Sequence, residues 1–106
     1  MPVKVLIVDD DAAFRRIARG ALAERGYDVV AEAQSVAEAR TAVAAAHPDA
    51  VLLDVNLPDG NGIALADELS GSLRVLLTSS EEAATGTTPF VPKTELLLVD
   101  LAAYLG

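Results

Sequence analysis

Three stretches of nearly unbroken Val, Leu and Ile constrain this chain more than any other feature. They run from Val3 to Val8, from Ala50 to Leu53 and from Arg74 to Leu77. Each is too short for an ordinary helix, and none alternates cleanly with polar residues. That is the pattern of strands covered on both faces. Asp28–Ala33 and the shorter Phe90–Val91 are weaker runs of the same kind, giving five candidate strands.

Between the runs the period becomes helical. Phe14, Ile17, Ala18, Ala21 and Leu22 recur at helical spacing, with Gly26 as a stop. Ser35 and Glu38 stand at capping-box spacing ahead of Val36, Ala39 and Val43, and Pro48 closes that element. A short helix is expected over Ile63 to Leu69, ended by Ser70, Gly71 and Ser72. Thr94 is expected to cap a last helix carrying Leu97, Leu98, Leu101 and Leu105. Residues 79–89 hold no apolar side chain larger than Ala apart from the closing Pro89, so a helix there would be short and weakly anchored. Strand and helix in alternation predict an α/β fold with a parallel sheet.

Composition narrows the function. With 106 residues the expectation is one domain over 1–106. Hydrophobic residues make up 52% and aromatics 4%, so the core must be aliphatic. A formal charge of −8 with eight scattered Lys and Arg argues against direct nucleic-acid or membrane-surface binding by this chain. No apolar run approaches the ~20 residues of a spanning helix. The apolar start ends in three Asp, unlike a signal peptide, and no Cys is present for a disulfide or thiolate site. A cytoplasmic protein is expected.

In an open parallel sheet, ligands bind beyond the carboxyl ends of the strands. Asp9, Asp10 and Asp11 follow the first run, Asp54 and Asn56 the third, Thr78 and Ser79 the fourth, and Lys93 the fifth. Converging carboxylates repel one another unless a cation lies among them, and an all-oxygen site suits Mg²⁺. Lys supplies a point charge for phosphate and Thr a hydroxyl donor. The set points to a phosphoryl group carried on a carboxylate. Singly, these residues have plainer readings. Asp9–Asp11 could cap the first helix, with Asp11 serving the cap, and Lys93 could be merely solvated. Asp59-Gly60 and Asn61-Gly62 read as ordinary turn dipeptides, and His47 as a helix-terminal residue.

The stretches Val5–Asp11, Val51–Gly62, Val75–Ser80 and Phe90–Lys93 together resemble the receiver domain of bacterial two-component response regulators. The resemblance implies a flavodoxin-like, doubly wound, five-stranded parallel sheet. It implies that Asp54 is the phosphoacceptor and that Mg²⁺, with Mn²⁺ as a substitute, is held by Asp10, Asp54, the Asn56 carbonyl and, through water, Asp9. Lys93 is expected to pair with Asp54 and then with the phosphoryl group. Backbone N–H groups of Asn56 and Ser79 would complete the cradle, and Thr78 and Phe90 would form the switch. The implied partners are a sensor histidine kinase as phosphodonor, an output domain or downstream protein, and a second copy in a homodimer. Asn56 and Ser80 are expected to tune dephosphorylation.

Three departures stand out. Only 15 positions separate Thr78 from Lys93, so the fourth helix is expected to be shortened or lost. The Lys93-Thr94-Glu95-Leu96 ending resembles receivers attached to tetrahelical helix-turn-helix DNA-binding domains, although no output domain is expected within 1–106. Pro89 precedes the switch aromatic, where Gly is common. The output surface is therefore expected to differ. Two other classes compete with the switch. One is a phosphorylation-independent interaction module, and the other a Mg²⁺-dependent aspartyl phosphohydrolase, which would place a second Asp where Asn56 stands.

Overall fold

A computed structural model describes residues 2–81 and 88–106. Five strands, β1 (Lys4–Val8), β2 (Asp28–Ala33), β3 (Ala50–Asp54), β6 (Arg74–Ser79) and β7 (Phe90–Pro92), form one sheet in the order β2-β1-β3-β6-β7. Every pairing in it is parallel. The remaining strands, β4 (Asn56–Leu57) and β5 (Gly60–Asn61), make a small antiparallel hairpin just after β3. β7 lies at the edge, where a residue without an N–H, Pro92, is tolerated.

The period of two sorts the apolar runs into two layers. Val5, Ile7 and Leu52 face the layer of α1 (Ala12–Glu24) and the C-terminal segment, with Ala18, Leu22, Leu96, Leu101 and Leu105. Leu6, Val8, Val51, Leu53 and Leu77 face α2 (Val36–Ala46) and α3 (Gly62–Leu69), with Val36, Ala39, Leu65 and Leu69. At about 1.5–3 kcal/mol for each fully buried aliphatic side chain, these two layers supply the main driving force for folding. The central strand β3 is buried along its whole length, as its unbroken apolar run implies.

Local chemistry sets the helix limits. Asp11 caps α1, its carboxylate accepting from Ala13 and Phe14 N–H, and Gly26 takes φ +89° after its last turn. Ser35 Oγ accepts from Glu38 N–H at 3.1 Å, but the Glu38 carboxylate bonds Gln34 Nε2 rather than closing a capping box. His47 ends α2 in the left-handed region at φ 48°, solvent-exposed, as a helix-terminal residue. No helix among the described residues is long and apolar enough to cross a membrane.

The last helix departs from expectation. Thr94 caps nothing, and α4 covers only Ala102–Leu105. From Pro92 the chain runs in successive turns, with N–H groups of Glu95, Leu96 and Leu98 bonding carbonyls three residues back. Arg25 reaches from the end of α1 to the carbonyls of Leu97 and Val99, satisfying acceptors that a helix would have used. Leu96 is thereby buried, whereas Leu97 and Leu98 are 44% and 82% exposed. The expected shortening of a fourth helix concerns 79–89, of which 82–87 lie outside the described residues.

Candidate phosphoryl and metal site

The carboxyl ends of β1, β3, β6 and β7 bring their terminal residues to one place. Asp9, Asp54, Thr78 and Ser79 are buried there, with Asp10 exposed beside them. One carboxylate oxygen from each of Asp9, Asp10 and Asp54 lies within 4.8 Å of the others. Lys93 enters from β7, its ammonium 2.7 Å from Asp9 Oδ2 and 3.7 Å from Asp54 Oδ2. It also sits 4.3 Å from the centroid of the Phe14 ring, within cation–π range.

The receiver resemblance implies a Lys93–Asp54 pair, yet the shorter contact is to Asp9. Asp9 is fully buried, and its Oδ1 already accepts from Asp11 N–H at 2.9 Å. The ammonium therefore sits closest to the carboxylate with the least access to water. Asp54 Oδ1 has a weaker bond of 3.4 Å from Asn56 N–H. Burial pushes the Asp54 carboxyl above the ordinary carboxylate value. The Asp9 charge adds to this, while Lys93 and the Asn56 N–H oppose it. For Lys93, burial alone would lower the ammonium, but Asp9, Asp54 and Asp11 outweigh it and hold it above the ordinary lysine value.

The remaining predicted residues surround this centre. Asn56 Nδ2 donates to Ser79 Oγ at 3.5 Å, and Glu81 N–H donates to the same oxygen at 3.2 Å. Lys93 N–H bonds the Ser79 carbonyl at 2.9 Å, fixing where the lysine leaves the sheet. Thr78 is 1% exposed, and its Oγ1 has no hydrogen-bond partner among the described residues. Phe90, opposite Leu77 in the sheet, is half-buried against the α2/α3 layer.

The donors fit a hard divalent cation. Three carboxylates converge on one another and the Lys93 ammonium pairs with two of them, which leaves excess negative charge. Asp9 Oδ2 is buried and, apart from the lysine charge, accepts no hydrogen bond among the described residues. All-oxygen donors of this kind suit Mg²⁺ rather than a softer metal.

Three supporting residues are not evident in the sequence. Gly62 N–H bonds the Val55 carbonyl at 2.7 Å, and a Cβ at Gly62 would fall 2.1 Å from the Asp54 carbonyl oxygen. Only glycine lets α3 start so close beneath Asp54. Asp59 accepts from Val36 N–H at 2.7 Å and Ala37 N–H at 3.0 Å, so a turn residue also caps α2. Arg15 donates to the Asp9 carbonyl at 2.7 Å. Turn spacing hints at Gly62, but nothing local signals the other two.

The family description response regulator receiver domain matches residues 5–89. Among curated proteins, the DNA-binding transcriptional activator DevR/DosR of Mycobacterium tuberculosis is 50% identical over 82 residues, covering 74% of this chain and 38% of that protein. Response regulator MprA of Mycolicibacterium vanbaalenii is 34% identical over 104 residues, covering 88% of this chain and 45% of that protein. The chain thus spans less than half the length of these relatives. Among solved structures, the signal receiver domain of the response regulator NarL from Mycobacterium tuberculosis superposes with a TM-score of 0.81 at 28% identity, covering 92% of this chain and 88% of that one. The BeF₃-activated receiver domain of Klebsiella pneumoniae RstA gives a TM-score of 0.80 at 27% identity, covering 95% and 97%.

Proposed function

This chain belongs to the response regulator receiver domain family of two-component systems, and on that premise we propose that Asp54 is its phosphoacceptor. Receiver domains bind Mg²⁺ through an acidic pocket and take part in signalling with histidine kinases. The observation that carries the assignment here is the convergence of Asp9, Asp10 and Asp54 within 4.8 Å, with the Lys93 ammonium beside them.

In this reading the donor is a phosphohistidine on a sensor histidine kinase. An Asp54 oxygen attacks phosphorus as the phosphorus–nitrogen bond breaks, and the released imidazole takes a proton from solvent. Such transfer depends mainly on positioning and charge neutralisation. Lys93 lies near both Asp9 and Asp54, so its ammonium shifts toward the new phosphoryl oxygens without leaving the pocket. Asn56 N–H, already directed at Asp54, and Ser79 N–H donate to the phosphoryl group. Asp10, Asp54 and the Asn56 carbonyl would hold Mg²⁺ directly and Asp9 through water, with Mn²⁺ able to replace it. The cation supplies charge neutralisation for the transferring group.

Phosphorylation adds close to two negative charges at Asp54. Thr78 turns its unpartnered hydroxyl toward them, and Phe90 packs inward behind it. The protein acts as a switch rather than turning over an external substrate, with residues 1–106 as one receiver unit and a cytoplasmic site of action. Its readers are an output domain, a downstream protein or a second copy. Incubation with acetyl phosphate and Mg²⁺ followed by intact mass tests the assignment. One phosphoryl adduct is expected, absent in Asp54→Asn. An adduct retained in that variant, or none with any donor, refutes it.

A further inference from the structure

A part-buried link reaches the pocket from behind Asp9. Asp9 is hydrogen-bonded at three of its four polar positions and faces an ammonium at the other. Its N–H bonds the Ala33 carbonyl at 2.9 Å, Oδ1 accepts from Asp11, and Oδ2 faces Lys93. The fourth position, the backbone carbonyl, lies past the end of β1 and is taken by Arg15 Nη1 at 2.7 Å. Arg15 is itself oriented: its Nε lies 3.1 Å from Glu32 Oε1, while Glu32 Oε2 lies 2.7 Å from Arg19 Nη1. The Arg15 side chain is only 18% exposed, against 51% for Arg19.

That carbonyl belongs to the peptide plane joining Asp9 to Asp10. Its rotation sets the direction in which Asp10, the exposed member of the carboxylate cluster, leaves the strand end. We infer that Arg15, oriented by Glu32, is a positioning residue that fixes the Asp9–Asp10 peptide and so sets the cation affinity of the acidic pocket. The inference rests on the Mg²⁺ reading of that pocket and adds two residues to it, one on α1 and one on β2. Outer residues that orient metal ligands commonly change affinity by about 10–100-fold when altered.

Charge and position act here with opposite signs, which makes the role separable. Arg15 is a cation beside a cation site, so deleting its charge alone would tighten Mg²⁺ binding. Deleting its hold on the peptide weakens binding. A purely structural role would lower the melting temperature and leave affinity unchanged.

The test is isothermal titration of the full chain with Mg²⁺ alone, paired with thermal melts in EDTA. Arg15→Gln is expected to weaken Mg²⁺ binding about tenfold. Glu32→Gln weakens it by a smaller factor, and the double variant no more than Arg15→Gln alone. Arg19→Gln, which removes a nearby charge and reaches Asp9 only through Glu32, changes affinity by less than Glu32→Gln. Arg15→Lys, which keeps the charge but not the planar fork, weakens it and serves if Arg15→Gln does not fold. Unchanged or tighter binding in the Arg15 variants, or an equal loss in Arg19→Gln, overturns the inference. Failure of the underlying reading looks different: the unsubstituted chain would then bind no Mg²⁺, or bind it equally well as Asp10→Asn.

Discussion

Neutralising the proposed phosphoacceptor should make the metal-free protein more stable. Asp54 carries a buried charge whose neighbours are Asp9 and Asp10 within 4.8 Å and Lys93 at 3.7 Å. With an effective dielectric constant of about 20, each repulsion is worth about 3.5 kcal/mol and the lysine attraction about 4.5 kcal/mol. The exposure of Asp10 screens its share, while burial of Asp54 adds a further cost to the charged form. The balance leaves Asp54→Asn more stable by about 1–2 kcal/mol, or roughly 5–10 °C in melting temperature for a domain of this size. The assay is thermal unfolding by circular dichroism at neutral pH in EDTA and low salt. Because the folded carboxyl lies above its ordinary value, the penalty is absent below that ordinary value. It grows as pH rises through the folded value and is full above it. The gap between variant and parent should therefore close toward about pH 4, and also at neutral pH in saturating Mg²⁺. A variant that melts at or below the parent in EDTA would refute the electrostatic account of the pocket.

Other perturbations separate the supporting parts. Gly62→Ala drives a Cβ into the Asp54 carbonyl and should cost about 3 kcal/mol, read as a lower urea midpoint. Lys93→Gln should slow acetyl phosphate labelling roughly 100-fold while preserving the circular dichroism spectrum; an unchanged rate would remove the lysine from the mechanism. Thr78→Val replaces an unpartnered hydroxyl with a methyl group and should stabilise the resting protein by about 1 kcal/mol. Asp59 is held below the ordinary carboxylate value by the Val36 and Ala37 N–H groups. Its contribution is present above that ordinary value and lost as pH falls through the folded one, so Asp59→Asn should flatten the acid limb of melting temperature against pH.

The sheet and the site centre were legible because they rest on local rules. Strands buried on both faces need unbroken Val, Leu and Ile, and the residues after such runs must meet at one edge of a parallel sheet. Asp9, Asp54, Thr78 and Lys93 follow from that alone. The C-terminal segment was misread because leucines at helical spacing also fit a run of turns when a distant side chain takes the carbonyls. Arg25 does so here, burying Leu96 in place of Leu97 and Leu98. Asp59 and Arg15 escaped for a related reason. Their partners lie 23 and 17 positions away, at Val36 and Glu32, and no local pattern encodes such pairings.

The unpartnered Thr78 hydroxyl bears on how the protein divides its time between conformations. A buried hydroxyl without a partner among the described residues costs about 1–3 kcal/mol. A phosphoryl oxygen brought to it, as proposed above, would recover that cost, a bias of about 5- to 150-fold toward the modified arrangement. Inverting a 1:99 distribution needs about 5.5 kcal/mol, so one hydroxyl falls short and the new charge at Asp54 has to supply the rest.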